Sequence, residues 1–242
     1  MNNIIYVAEL DQDVDDIIAA EYLHRLGVLK EIVTDPVPTT TEGKARLDVI
    51  RQKGIKTSCV IPKDTEIVFI GGALTAVAKF IKKNHLKTLV MNGGFVGSNI
   101  VPLENQLDKF KGKKFVRTFN FNIDINSTDA VLKSENIDNI ILVGKNVCHN
   151  KRNTKLGFWK DGIVKDILDE YNVNDTKLQH DVLACHEGLA MLGLIDEILL
   201  CKYKTVYPIN QSGLKGNMTQ WGSSETKGKS PYRAVTSAIT FV

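Results

Sequence analysis

Several features that would announce a specialised protein class are scarce in this sequence. Its 242 residues hold only four cysteines, Cys59, Cys148, Cys185 and Cys201, widely scattered and with no CxxC pair. A disulfide framework or thiolate zinc site is therefore not indicated, and a reducing compartment fits. The formal charge is only +3 and there is no long basic run, so nucleic acid is not expected as a partner. The richest basic stretch, Lys109 to Lys114, reads as a solvated loop rather than a phosphate-binding patch. No apolar run approaches the length of a membrane span, and Asp11 interrupts the N-terminal apolar segment, against a signal peptide. Internal repeats, low-complexity tracts and clear linkers are absent. What remains is a chain that is 43% hydrophobic, enough for one sizeable core. The expectation is a soluble cytoplasmic protein with one domain over residues 1–242 and no membrane partner.

Short β-branched runs alternate with helical patterns. Strands are expected at Ile4–Leu10, Glu31–Thr34, Ile67–Ile70, Thr88–Met91, Phe115–Phe119 and Asn139–Val143. Helices are expected at Asp15–Leu26, Thr41–Lys53, Leu74–Lys83, Val164–Tyr171 and Asp181–Leu192, and Ile198 to Val242 reads as short strands and polar loops. This alternation predicts an α/β fold: an open, mostly parallel, Rossmann-like sheet with helices on both faces. In such sheets ligands sit beyond the carboxyl ends of the strands.

The segments just beyond the strand ends are rich in amides, carboxylates and glycine. The first strand leads into Asp11, Asp13, Asp15 and Asp16, four acids in six residues. Two like charges 4 Å apart repel by about 1 kcal/mol in water and about 4 kcal/mol at an effective dielectric of 20. A helix N-terminus offsets part of that; a hard divalent cation with oxygen ligands would offset more. Asp13 reads as a solvated turn residue. Later strand ends carry Gly71-Gly72, Asn92-Gly93-Gly94 with Ser98-Asn99 beyond, Asn120-Phe121-Asn122, and Lys145 to His149. Groups of this kind bind polyhydroxylated ligands and hard metals. Asn99 is a candidate ligand contact on that ground, although Asn also favours turns.

Taken in order, Glu9-Leu10-Asp11-Gln12-Asp13-Val14-Asp15-Asp16, Gly72-Ala73-Leu74-Thr75-Ala76-Val77-Ala78, Met91-Asn92-Gly93-Gly94, Asn120-Phe121-Asn122, Asn126-Ser127-Thr128-Asp129-Ala130 and His180-Asp181-Val182-Leu183-Ala184 resemble the motifs of the nucleoside hydrolase family, the inosine–uridine preferring N-ribohydrolases. The resemblance covers roughly residues 4 to 190. It implies a nucleoside hydrolase-like fold and a Ca2+ cofactor held by Asp11, Asp16, Asp181 and the backbone carbonyl of Thr75. It further implies Asp11 as general base and Asp15, Asn120, Asn122 and His149 as contacts to substrate, with His180 placed as the acid for the leaving base. The reaction implied is hydrolysis of the N-glycosidic bond of a nucleoside or related ribosyl compound, a step of purine and pyrimidine salvage. Members of the family associate, so a homo-oligomer is a further expectation.

This sequence departs from the family pattern in four places. Asp35-Pro36-Val37-Pro38 stands where a Gly-Asn turn is usual, and a segment with His-Gly and Gly-Leu signatures is missing before the Leu74 helix. Asn120 replaces a ribose-binding glutamate, and the stretch between His149 and His180 is short. These departures leave two alternatives open. One is a binding protein of the same fold that has lost turnover. The other reads Asp11-Gln12-Asp13 as the nucleophile motif of haloacid-dehalogenase-type phosphatases. That reading wants a later acidic pair where Gly144-Lys145-Asn146 stands.

Overall fold

The computed structural model describes residues 4–150, 162–173, 176–195, 201–212, 219–225 and 230–241. In chain order they form β1 (Ile4–Ala8), α1 (Asp15–Arg25), β2 (Leu29–Thr34), α2 (Thr41–Gln52), β3 (Thr57–Ser58), β4 (Ile67–Ile70), α3 (Thr75–Ile81), β5 (Leu86–Asn92), α4 (Phe119–Ile123), α5 (Ile125–Lys133), β6 (Ile137–Val143), α6 (Lys145–Cys148), α7 (Ile163–Glu170), α8 (His180–Met191), β7 (Cys201–Ser212), β8 (Thr219–Glu225) and β9 (Val235–Phe241). Among the described residues no helix is long and apolar enough to cross a membrane.

The strands form a sheet in the order β3-β2-β1-β4-β5-β6-β9-β7-β8. Neighbours from β3 through β6 to β9 run parallel, while β7 is antiparallel to both β9 and β8. Side chains alternate between faces along a strand, and β1 is buried on both. Ile4, Tyr6 and Ala8 join a core layer with α1, α7 and α8, whereas Ile5 and Val7 join one with α3 and α5. An apolar run without polar alternation is what a central parallel strand requires. The expected open, mostly parallel α/β sheet covered on both faces is the observed architecture.

An ionic cluster fastens the α1 layer. Glu21 on α1 is only 2% exposed and accepts from Arg25, from Lys53 at 2.7 Å and from Tyr171 at 2.8 Å. Arg25 and Lys53 also reach Glu170, so the ends of α1, α2 and α7 share one network.

One expected strand is absent. The segment 115–118 is irregular, and Phe119 opens the short helix α4. The place beside β5 is taken by β6, which pairs with it from Leu86 to Asn92. Phe119 is left 60% exposed while Phe121 is buried. The chain reverses at the sheet's switch point: it moves outward from β1 through β2 to β3, then crosses back to β4 on the other side of β1. A crevice opens there at the carboxyl ends of the strands.

Candidate metal centre and cavity

The N-termini of α1 and α8 and the carboxyl ends of β1, β4, β5 and β6 meet in this crevice. Asp15 and Asp16 occupy the first turn of α1, and Asp181 the first turn of α8, where partial positive charge favours an acid. Each offers an oxygen within 4.8 Å of the others. Asp16 and Asp181 are 4% and 3% exposed. Asp16 is fixed by the Tyr6 hydroxyl, which donates to Oδ1 at 2.6 Å, and by the Glu9 N–H, which donates to Oδ2 at 2.9 Å. Asp181 accepts from Asn92 Nδ2 at 2.5 Å. Gly71 explains the glycine pair after β4. A Cβ there would lie 2.4 Å from Asp16 Oδ1 and 2.5 Å from Asp181 Oδ2, so any side chain would displace the carboxylates.

Protons are held tightly in this group. Burial first, and the charge of Asp181 second, push both Asp15 and Asp16 far above the usual carboxylate range. Burial raises Asp181 to about 6. The donors are hard oxygens, two of the three groups are buried, and ion pairs among the described residues do not include them. A hard divalent cation such as Ca2+ fits this donor set, since it would supply the missing positive charge.

The trio forms part of the wall of a cavity of about 170 Å3. Glu9, Asn92, Asn120, Lys145, His149 and His180 also line it. Glu9 is half-buried, accepts from Gln12 Nε2 at 2.9 Å, and is raised in pKa mainly by burial. The rings of His149 and His180 meet edge to face at 5.0 Å. Burial, then the charges of Lys145, His180 and Lys109, lower His149 to about 3, so it is neutral at physiological pH. Gly144 lets the β5 and β6 ends close up. A Cβ there would lie 2.2 Å from the Gly94 carbonyl oxygen.

The structure does not gather all of the expected site residues. Asp16 and Asp181 converge, and Asp15 joins them as a third candidate ligand rather than a sugar contact alone. Asp11, expected as both ligand and base, lies elsewhere. Its carboxylate accepts from the N–H groups of Thr39 and Thr40 and from their hydroxyls, at 3.0 Å for Thr39 Oγ1 and 2.8 Å for Thr40 Oγ1. The physical reason is a choice of environment. Donors preceding α2 satisfy this charge, whereas the crevice already holds three crowded carboxyls. Those bonds lower Asp11 to about 2. Asp11, the nucleophile of the dehalogenase-type reading, accepts from Thr39 and Thr40 and does not line the cavity described above.

Thr75 opens α3, donates to Asp124 Oδ2 at 2.8 Å and does not line the cavity. Asn120 lines it, but its Nδ2 donates to the carbonyls of Gly71 and, at 2.7 Å, Asn92. Asn122 points away, donating to the Thr118 carbonyl at 2.5 Å. In an extended segment these two alternate residues would share a side and both reach a ligand. On a helix, residues two apart diverge by about 200°. Asn99 lies in a loop outside the cavity, and His149 and His180 line it. Sequence reasoning names the strand-end segments that hold Asn92 and Lys145 but gives no individual role to either, or to Glu9. Each stands at or just after a strand end, which is the signal that could have found them.

An expected outcome separates Asp11 from the trio. Asp11→Asn lowers the melting temperature at neutral pH while leaving any stabilisation by added cation intact. The folded-state pKa of Asp11 is depressed, so its contribution is present above about pH 4 and is lost as the pH falls through about 2. Thermal melts of both proteins, with and without calcium, check this; loss of the cation response in the variant would return Asp11 to the metal centre.

No family model matches the chain. A curated protein of Aquifex aeolicus (strain VF5), described only as uncharacterized, is 30% identical over 173 residues, which cover 65% of this chain and 54% of that protein. The chain thus spans about half the length of the curated relative it matches. Among solved structures, the crystal structure of an inosine-uridine preferring nucleoside hydrolase from Bacillus anthracis matches with a TM-score of 0.59 at 15% identity, over 100% of this chain and 95% of that one. At that identity the likeness establishes architecture: this chain has a nucleoside hydrolase-like α/β fold.

Proposed function

We propose that the crevice is the active site of a cation-dependent glycosidase that hydrolyses the N-glycosidic bond of a nucleoside or related ribosyl compound. The observation that carries this reading is the convergence of Asp15, Asp16 and Asp181 at the switch point of the sheet. Those three residues would hold the ion, with Ca2+ the proposed cofactor. Such an ion supplies Lewis-acid polarisation and charge neutralisation when bound. The chain's own groups provide the rest. Glu9, with a carboxyl whose proton affinity is raised by burial, accepts the proton of an attacking water. Carboxylates of the cavity wall stabilise the positive charge of an oxocarbenium-like transition state. His180 donates a proton to the departing base. Neutral His149, ring to ring with His180, positions it.

A second reading, sugar binding without turnover, is favoured by Asn120. Its amide braces the carbonyls of Gly71 and Asn92, a structural use of the position where the family resemblance expects a ribose contact.

The test is release of free base and reducing sugar from a panel of nucleosides, with calcium and with chelator. Cation-dependent release is expected. Asp16→Asn should reduce it at least about a hundredfold, since metal assistance is worth several kcal/mol in the transition state. Saturable binding without release would instead favour the second reading, and neither binding nor release would end both.

A further inference from the structure

The wall that continues from β6 carries unbalanced positive charge. Lys145 lines the cavity, and its Nζ lies 3.4 Å from His149 Nε2. Lys109 comes from the distant basic loop, and its Nζ lies 3.3 Å from His149 Nδ1. The Lys109–Lys114 stretch is thus not merely solvated. Phe110 is buried and packs edge to face on His149 at 5.4 Å. The Nζ atoms of Lys109 and Lys113 stand 5.6 and 5.9 Å from its ring centroid. That packing holds Lys109 against His149, which lines the cavity.

Hydrogen bonding at His149 is frustrated. A neutral imidazole accepts at one nitrogen only, yet an ammonium faces each of its two nitrogens. At least one of these lysines therefore has no acceptor there. Among the described residues neither Lys109 nor Lys145 pairs with a carboxylate. The acids of the same cavity are taken up with one another and with Tyr6, Asn92 and Gln12. His180 links the two regions, adjacent to Asp181 in sequence and ring to ring with His149. The cavity thus has an acidic end suited to a cation and hydroxyls, and a donor-rich end suited to an anion.

We infer that the substrate carries a phosphate: a ribosyl phosphate or nucleoside monophosphate, its sugar on the Asp15–Asp16–Asp181 side and its phosphate on Lys145 and Lys109. This rests on the proposed reading of the cavity as a sugar site and specifies its substrate class. A phosphomonoester supplies several acceptor oxygens, enough for both ammonium groups, and is recognised by lysine as a point charge.

Calorimetric titration of the full chain in the presence of calcium tests it, with ribose, ribose 5-phosphate and inorganic phosphate as separate probes. Ribose 5-phosphate should bind at least about tenfold more tightly than ribose, the worth of one charge-assisted contact. Lys145→Met and Lys109→Ala, two variants in different elements, should each reduce that ratio. The advantage should also fall as salt rises. Equal affinities for the two sugars, no binding of either, or a ratio unchanged in both variants would overturn the inference. Inorganic phosphate binding as tightly as ribose 5-phosphate would overturn it too, by showing an anion site unconnected to a sugar. Base release from nucleosides and their 5′-monophosphates, measured alongside, separates the two claims. Hydrolysis with no preference for the monophosphate would leave the glycosidase reading standing without this one. Tight ribose 5-phosphate binding without any base release would do the reverse.

Discussion

Calcium added to the chelator-treated protein at about pH 7.5 raises its melting temperature by about 5–10 °C, and the gain shrinks as the pH falls through about 6. The size comes from mass action. A ligand at a hundred times its dissociation constant stabilises the folded state by about 2.7 kcal/mol. In a chain of this length each kcal/mol moves the midpoint by about 2–4 °C. The pH dependence comes from the crowding. Unfolded aspartates titrate near 3.9, and folding raises Asp15, Asp16 and Asp181 above that, the last to about 6. Groups raised in this way favour the folded state fully below their unfolded pKa. That contribution is lost as the pH rises through the folded value. The cation-free protein therefore gains stability from this trio on mild acidification. Bound cation reverses the trend, because it takes the carboxylate forms and must displace their protons. Melts with calcium, magnesium and manganese across about pH 5 to 8 would reveal both slopes. A flat response to all three ions would remove the metal centre.

Much of the fold is legible in the sequence because its strands are central and alternate with helices. Ile4 to Ala8 has no polar alternation, which only a strand buried on both faces tolerates. Gly71, Asn92 and Gly144 each succeed or end a strand, and their smallness or amide reflects a crevice where backbones and carboxylates approach closely. Asp16 and Asp181 are paired in the sequence through the motif resemblance, and each stands in the first turn of a helix. Asp11 is not readable in the same way. Its partners Thr39 and Thr40 lie 28 and 29 residues away, and nothing local distinguishes an acid that turns toward them from one that turns into the crevice. The Phe115–Phe119 segment has strand composition, but β6 already occupies the edge of β5, a tertiary fact invisible to propensity. Lys109 reads as solvated since its contact, His149, lies 40 residues on.

Asp181→Asn stabilises the cation-free protein and abolishes its response to calcium. Most substitutions of a buried residue destabilise, so the opposite sign is diagnostic. Asn has the size of Asp, and its Oδ1 can still accept from Asn92 Nδ2, the bond that holds Asp181 at 2.5 Å. Its own amide can also donate to the neighbouring carboxyls of Asp15 and Asp16. The gain comes from the charge removed. Raising a buried carboxyl from about 3.9 in the unfolded chain to about 6 in the fold corresponds to about 2–3 kcal/mol at neutral pH. Below about pH 4 the carboxyl is protonated in both states and the advantage vanishes. Loss of a proposed ligand removes the stabilisation by cation and, with it, the turnover proposed for this site. A stability cost borne for a charged cluster is common at sites retained for chemistry rather than for folding. Urea unfolding of wild type and variant at about pH 7.5 and pH 4, each with chelator and with calcium, reads all four quantities. A variant less stable than wild type in chelator at neutral pH would mean that the Asp181 charge is already compensated within the fold. A variant that still gains stability from calcium would mean that the ion binds without it.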